Sequence, residues 1–449
     1  MLIDPQTFSV VSLFSGGGIG DVGFRRAGLR LILQNEIEER RGELCSLNFP
    51  DSSVICADIQ DACPGIIADA QSKIQNQDLF LLSATPPCQG MSKNGIGTIL
   101  KAMRDGKRPS VDVRNALIIP ALDIVEALKP RFVFFENVDR IFNTYYSSDV
   151  LASDRPIKMV DFIKERLSKL QYFGDIHLVD FANYGIAQHR FRAVGIFVRR
   201  DLIVGRNLSP IDLLPEPTHG PRSRKNKPWL SVREAIGGLP PLDSVDRSHA
   251  SSRLSPLHKV PVSRDELYRW IKYTKPERTA FENDECPTCT HVNLRNAVRC
   301  EKCSDVLPKP NVEISGVRRL IRGFVSAYKR MPWDKPAPTV TTRSAYACSD
   351  HNLHPDQNRV LSLLEACILQ GLHQEEYRWG PVRNRQSRNG LQFLPVAPDT
   401  LIRDVLGEPV SPVFTHAVGQ HLIRLYKNDM TVSNVRPRQE EFDLAFSTT

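Results

Sequence analysis

The first 200 residues alternate short apolar runs with segments of helical period, and that alternation narrows the fold more than any other feature of the chain. The runs at 10–14, 31–36, 54–59, 79–84, 132–136, 176–181 and 194–198 read as strands. Between them, 21–29, 38–48, 115–128 and 158–170 carry apolar residues at helical spacing. Strands that alternate with helices need right-handed crossovers, so the chain predicts a mostly parallel sheet with helices on both faces, an α/β fold. Ligands bind such sheets beyond the carboxyl ends of the strands, so the residues closing each run are the candidates for chemistry.

Phe14-Ser15-Gly16-Gly17-Gly18-Ile19-Gly20 closes the first run and opens the first helix. Glycines there let backbone approach a ligand at a helix N-terminus. Glu36 ends the second run and Asp58 lies at the end of the third. An acidic side chain after strand two suits ribose hydroxyls, and one after strand three can accept from an adenine amino group. The glycine loop lacks the Gly-Lys-Ser/Thr of a triphosphate site, so a nucleoside without a phosphate chain fits better.

The fourth run leads into Ala84-Thr85-Pro86-Pro87-Cys88-Gln89-Gly90. Two prolines stiffen that turn and keep it from becoming helix. It is a mount for a nucleophile, since a positioned thiolate is what attacks carbon efficiently; a buried structural cysteine is the plainer alternative. Glu136 follows the wholly apolar Phe132-Val133-Phe134-Phe135, where a carboxyl group tends to a raised pKa and can share a proton. In Gln188-His189-Arg190-Phe191-Arg192, strand alternation would put Gln188, Arg190 and Arg192 on one side, able to hold phosphates or a base carbonyl.

After residue 198 the texture changes to a proline-rich, loop-like stretch. It predicts a second, smaller domain over 201–411, with residues 1–200 and 412–449 forming the first. Helical period returns at 361–372 and 418–426. Residues 201–330 hold 23 Lys+Arg and 15 Asp+Glu, a net of +8, against 59 and 51 for the whole chain. The remainder is therefore neutral at 36 against 36, so the entire excess falls in one segment suited to a polyanion. Ten cysteines, four of them in Cys286-Pro-Thr-Cys289 and Cys300-Glu-Lys-Cys303, argue for reduced thiols and a tetrahedral Zn–S₄ finger over 284–305 rather than disulfides. No run approaches the roughly 18 apolar residues of a membrane span, and the start lacks a secretory pattern, so a cytoplasmic protein is expected.

Taken together, these motifs resemble the DNA cytosine-5 methyltransferase family in order and spacing. The glycine loop, Pro-Cys-Gln, Glu-Asn-Val and Gln-x-Arg-x-Arg carry the resemblance. So do Asp112-Val-Arg114-Asn115, Arg233-Glu-Ala-Ile236 with Pro240-Pro241, Trp333-Asp-Lys-Pro-Ala-Pro338-Thr-Val, and the late helix at 361–372. The match covers about 10–198 and 331–422.

The resemblance implies a Rossmann-like methyltransferase fold with a target-recognition domain, S-adenosylmethionine as cofactor and a flipped cytosine in double-stranded DNA as substrate. It implies that Cys88 adds to C6, Glu136 shares a proton with N3, Arg192 contacts the base carbonyl and Arg190 supports the nucleophile's pocket. Phe14, Gly16, Gly18, Glu36, Asp58, Ile59 and Pro86 would surround the cofactor. So would Gln420, because the family places Gly-Asn before its last helix and this chain has Gly419-Gln420. Residues 92–108, with Gly95, Gly97 and Gly106, would close over DNA, with Gln89, Ser92, Arg104, Lys107 and Arg108 in contact. Arg295 and Arg299 of the finger could reach DNA as well, and Asn293 fits the Ran-binding-protein class of finger, which typically has Trp where this chain has Asp284. The chain's size favours a monomeric bacterial or phage modification enzyme, with a cognate restriction endonuclease acting separately. The alternatives are a tRNA cytosine-5 methyltransferase, whose Cys-Phe-Thr motif is missing, and a catalytically silent DNA-binding protein of the same fold.

Overall fold

The computed structural model describes residues 8–75, 77–87, 117–146, 157–221, 226–321, 326–349, 352–383 and 393–427. Cys88, Gln89, Ser92, Arg104, Lys107 and Arg108 lie outside the described residues.

The first half builds β1 (Ser9–Leu13), α1 (Ile19–Arg26), β2 (Arg30–Glu36), α2 (Glu39–Asn48), β3 (Ser53–Cys56), α3 (Ile59–Ile74), β4 (Leu81–Ala84), α4 (Ile118–Leu128), β5 (Phe132–Val138), α5 (Met159–Lys169), β6 (Tyr172–Asp180) and β7 (Phe191–Arg199). They form one seven-stranded sheet in the order β3-β2-β1-β4-β5-β7-β6. β1 to β5 pair parallel, whereas β7 runs antiparallel to both β5 and β6. Strand β5 shows why both faces are covered. Phe132 and Phe134 enter one buried cluster, Val133 and Phe135 the other, so alternate residues feed two cores.

The third predicted strand ends early. β3 stops at Cys56, and Asp58 instead caps α3, accepting from the Gln60 amide at 2.9 Å. Asp is a preferred N-cap because its carboxylate satisfies an orphan amide of the first turn. Pro64-Gly65 in the middle disguises α3 in the sequence, but the buried stripe Ile59, Ile66 and Ala70 holds the helix against the sheet.

The second half adds α6 (Val232–Ile236), α7 (Asp265–Lys272), a hairpin of β8 (Asn311–Ile314) and β9 (Val317–Leu320), α8 (Leu363–Leu369), α9 (Asp399–Gly407) and α10 (Pro412–Lys427). Helix α10 returns onto α1 so closely that a Cβ on Gly23 would lie 2.1 Å from the Pro412 carbonyl oxygen. The Thr415 hydroxyl donates to the Gly20 carbonyl at 2.6 Å, which seals that crossing. Residues 201–411 divide between two environments. Val232, Ile236, Leu257 and many apolar residues of 331–410 join the core beneath the sheet, while Ile271, Ala347 and Leu353, and separately Cys286, Cys300 and Leu307, form small clusters apart from it. Among the described residues no helix is long and apolar enough to cross a membrane.

Candidate active site

A cleft of about 600 Å³ opens at the carboxyl ends of β1 to β5, where the strand order reverses between β1 and β4. Its floor is the turn after β1. Phe14 (φ 58°) and Gly16 (φ 57°) both occupy left-handed backbone, a conformation that costs Phe14 energy and Gly16 almost none. That turn aims the Gly16 amide at Glu36, whose Oε2 accepts it at 2.8 Å while Oε1 accepts the Glu38 amide at 2.9 Å. Burial raises the Glu36 pKa, opposed by those two amides and by Arg41. Asp58 and Ile59 line the same end of the cleft, together with Asn35 and Ile37.

Pro86, Pro87, Glu136, Asn137, Val138 and Arg192 line another part of the wall. Glu136 is 6% exposed, and its Oε1 lies 2.9 Å from Arg192 Nε. This is ion-pair distance without hydrogen-bond alignment, so Oε1 accepts no aligned hydrogen bond among the described residues. Desolvation pushes the Glu136 pKa up, with Arg192 and Arg190 opposing. A buried carboxylate whose ionised form is disfavoured by desolvation and balanced by a guanidinium, on the wall of a cleft, is suited to share a proton with a bound group. Asn137 fixes the neighbouring turn. Its buried Nδ2 donates to the Pro86 carbonyl at 3.1 Å, and its Oδ1 accepts the Val138 amide at 2.9 Å. Thr85 pins the other side, its hydroxyl donating to the Phe14 carbonyl at 3.0 Å. The chain thus enters Cys88 from a wall clamped on both sides.

The expectation that Gln188, Arg190 and Arg192 lie on one side of a strand needs correction. β7 begins only at Phe191, and Gln188 and Arg190 are fully buried. Gln188 donates to the Leu369 carbonyl at 3.0 Å and accepts the Val340 amide at 2.7 Å. Arg190 donates to the carbonyls of Val340 (3.1 Å) and Gly407 (3.0 Å) and holds no phosphate-facing surface. Burial lowers its pKa well below the usual arginine range. Of the three, only Arg192 lines the cleft; Arg190 ties the sheet to the opposite wall.

That opposite wall was not anticipated from the sequence. Val405, Gly407, Glu408, Pro409, Val410 and Thr415 close the cleft. A Cβ on Gly407 would lie 2.0 Å from the Thr342 amide nitrogen, so glycine is required for the end of α9 to meet the Thr341-Thr342 backbone. Arg41 of α2 pairs with Glu408 across the cleft at 2.7 Å.

The sequence profile of the C-5 cytosine-specific DNA methylases matches residues 8–389. The chain belongs to that family. It is similar to the type II methyltransferase M1.HgaI of Avibacterium volantium, 26% identical over 92% of this chain and 97% of the relative. It is also similar to M1.HphI of Haemophilus parahaemolyticus, 28% identical over 95% of this chain and 90% of that one. The fold matches the crystal structure of a protein described as a DNA modification methyltransferase encoded within a prophage of E. coli, with a TM-score of 0.57 and 18% identity, covering 94% of this chain and 99% of the other. S-adenosylmethionine is the methyl donor expected for this family.

Two residues assigned to the methylase cofactor site are placed elsewhere. Gly18 is the left-handed cap of α1, and a Cβ there would meet the Phe49 ring at 2.8 Å, so it serves packing against α2. Gln420 sits exposed within α10, and Gly419 packs against Ala27 and Leu29. The Gly-x pair that precedes the last helix and faces the cleft is Gly407-Glu408.

The four cysteines converge as their spacing predicts. Their sulfurs lie within 4.8 Å of one another, with Cys286–Cys303 and Cys289–Cys300 at 3.5 Å. Tetrahedral thiolates about 2.3 Å from a zinc ion would sit roughly 3.8 Å apart. Two matching knuckles carry them: Thr290 and Ser304, each directly after a second cysteine, both take φ near +60° (57° and 61°). Asn293 stitches the knuckles, donating to the carbonyls of Asp284 and His291 and accepting the Glu301 amide at 2.8 Å. Asp284 pairs with the fully buried Lys309. Arg295 and Arg299 are exposed, the first bonded to Glu282 (2.6 Å), the second to the Ser304 carbonyl (3.1 Å).

Proposed function

We propose that this methylase modifies cytosine within a specific duplex DNA sequence, with Cys88 as nucleophile and Glu136 and Arg192 as the groups that activate the ring. The observation that carries this reading is the buried Glu136–Arg192 pair on the wall of the same cleft as the Pro86-Pro87 turn that precedes Cys88. Cytosine inside a stacked duplex cannot reach such a cleft, so the base flips out. The Cys88 thiolate forms a bond to C6 while Glu136 gives a proton to N3 and Arg192 holds O2, which moves electron density to C5. S-adenosylmethionine, when bound, supplies the activated methyl group that C5 takes. Loss of the C5 proton then breaks the C6–S bond and returns the thiolate. Covalent addition divides a slow substitution at an unactivated carbon into easier steps.

The cleft suits S-adenosylmethionine. Both Glu36 oxygens keep spare acceptor capacity beyond the amides they hold, enough for ribose hydroxyls. Asp58, Ile59, Phe14 and Gly16 surround the same end, with Pro86 further along and Glu408 in the role expected of a residue before the last helix. Arg190 is a positioning residue that fixes Gly407, and Asn137 one that fixes Pro86. Gln89, Ser92, Arg104, Lys107 and Arg108 contact DNA on this reading, supported by the positive charge of the last three and the glycines at 95, 97 and 106. The finger binds one structural zinc ion through Cys286, Cys289, Cys300 and Cys303, and Arg295 and Arg299 reach phosphates. Relatives that carry the name type II methyltransferase favour a modification role beside a separate endonuclease; on this reading the chain acts as a monomer.

Base-resolution methylation sequencing of DNA from cells expressing the protein tests the proposal. A single short motif methylated at C5 is the expected result, and loss of that mark with Cys88→Ser assigns it to the nucleophile. Unmodified DNA from cells holding folded, S-adenosylmethionine-binding protein would refute the reading.

A further inference from the structure

The hairpin of β8 and β9 projects from the segment that holds the chain's whole excess of positive charge. Its two-residue turn, Ser315 (φ 51°) and Gly316 (φ 77°), has positive φ at both positions, the turn whose twist matches a tight antiparallel ribbon. Register divides it into unlike faces. Asn311, Glu313, Arg318 and Leu320 share one face, where Arg318 bonds Glu313 at 2.9 Å and Asn311 at 3.0 Å and reaches Glu266 of α7 at 3.7 Å. The other face carries Val312, Ile314 and Val317, which are 39%, 44% and 65% exposed, together with the exposed Arg319. Arg319 has no ion-pair or hydrogen-bond partner among the described residues, unlike Arg295 and Arg299 of the finger.

The root of the ribbon is clamped by the finger. Lys309, fully buried, donates to the Arg295 carbonyl at 2.9 Å and pairs with Asp284. Asn311 donates to the Lys309 carbonyl at 2.7 Å, and Asn283 donates to the Pro308 carbonyl at 2.6 Å. The metal-binding knuckles therefore set the angle at which the hairpin leaves the body.

We propose that this hairpin is the element that reads the target sequence, entering a groove of the duplex with Val312, Ile314, Val317 and Arg319 against base edges, while the zinc finger braces it. The inference rests on the proposed action on duplex DNA. A two-stranded ribbon fits the major groove, which is about 12 Å wide. An exposed apolar stripe suits thymine methyl groups, and an unpaired guanidinium suits the paired acceptors of guanine. Charge selects the occupant: the surrounding segment is positive, as a polyanion requires and a second copy of the same basic face does not.

The test uses the full chain and a random-sequence duplex library read for C5 methylation. Wild type must first yield a defined motif; its failure to methylate any DNA would sink the proposed function, not the hairpin. Arg319→Ala is expected to lower kcat/KM on that motif by roughly 5- to 150-fold, the value of one bidentate base contact, and to relax one position of it. Ile314→Ser with Val317→Ser should relax neighbouring positions, with zinc content and S-adenosylmethionine affinity unchanged. Unaltered motif and rate in both variants would overturn the proposal. So would dissociation of an oligomer without change of motif, which would assign the face to a second copy. Photo-crosslinking of wild type to halogenated duplexes avoids any folding defect: adducts within 312–319 are expected, and adducts confined to other segments would contradict it.

Discussion

Glu136→Gln keeps the shape of a buried side chain and removes its ionisable proton. Glu136 is the counter-charge of Arg192, whose side chain is 12% exposed, so the amide leaves a nearly buried guanidinium unbalanced. Breaking a buried pair costs about 3–5 kcal/mol, and the open cleft, where water can reach Arg192, should bring the loss toward the lower figure. The chemical step should slow by about 10²–10⁴, the usual effect of losing a general acid. Single-turnover transfer of a labelled methyl group at saturating cofactor and DNA isolates that step, and chemical denaturation reads the stability. The pH profile separates the two effects. Because burial raises the Glu136 pKa, its protonated form persists to higher pH than an ordinary glutamic acid, and the wild-type rate should fall as pH rises through that raised value. The variant should lose that falling limb. A variant within about threefold of the wild-type rate, with an unchanged pH profile, would refute the assignment of Glu136 to proton transfer.

Further expectations follow from the same cleft and from the finger. Asp21, buried beside Gln34 (2.7 Å), has its pKa raised from 3.8 to about 6 by desolvation, against the hydrogen bonds of Gln34 and Ser12. Its contribution to stability is full below pH 4 and is lost as pH rises through about 6, so Asp21→Asn should gain up to about 3 kcal/mol relative to wild type between pH 4 and pH 8, read by denaturant titration at each pH. A pH-independent difference would contradict the burial argument. Asn137→Ala strands the Pro86 carbonyl and should cost about 1–3 kcal/mol of stability while lowering kcat more than it changes cofactor affinity, as measured by calorimetric binding and steady-state rates. Cys289→Ser with Cys303→Ser should abolish zinc content by elemental analysis and weaken target discrimination, yet leave S-adenosylmethionine binding intact; loss of cofactor binding would place the finger in a different role.

Much of the sheet is legible in the sequence because strand and helix impose different periods. The apolar runs before Glu36, Glu136 and the Pro-Pro turn fall on β2, β5 and β4, and their closing residues meet in one cleft. Boundaries drift where local chemistry competes, as at Asp58, which serves a helix as its cap rather than ending a strand. Helix α3 is hidden by Pro64, whose cost is outweighed by burial that only the tertiary fold reveals. The wall at 405–410 reaches the cleft through a chain separation of more than 300 residues from Arg41 and Glu36, and nothing local signals that return. Gly419-Gln420 misleads because helical period becomes plain only from 418, whereas the helix itself begins at Pro412, which leaves Gly407-Glu408 as the pair before it. The burial of Arg190 was likewise illegible, since its partners are backbone carbonyls that no side-chain pattern encodes.

Covalent attack by Cys88 on a flipped cytosine held by Glu136 and Arg192 is tested most directly with a duplex carrying the methylated motif and 5-fluorocytosine at the target position. Fluorine at C5 cannot leave as a proton does, so the C6–S bond should persist. With S-adenosylmethionine present, wild type is expected to give a denaturation-resistant protein–DNA adduct at near one-to-one stoichiometry, and peptide mapping should place the link at Cys88. A wild type that methylates the normal duplex but forms no adduct with the fluorinated one, or an adduct that survives Cys88→Ser, would contradict the account.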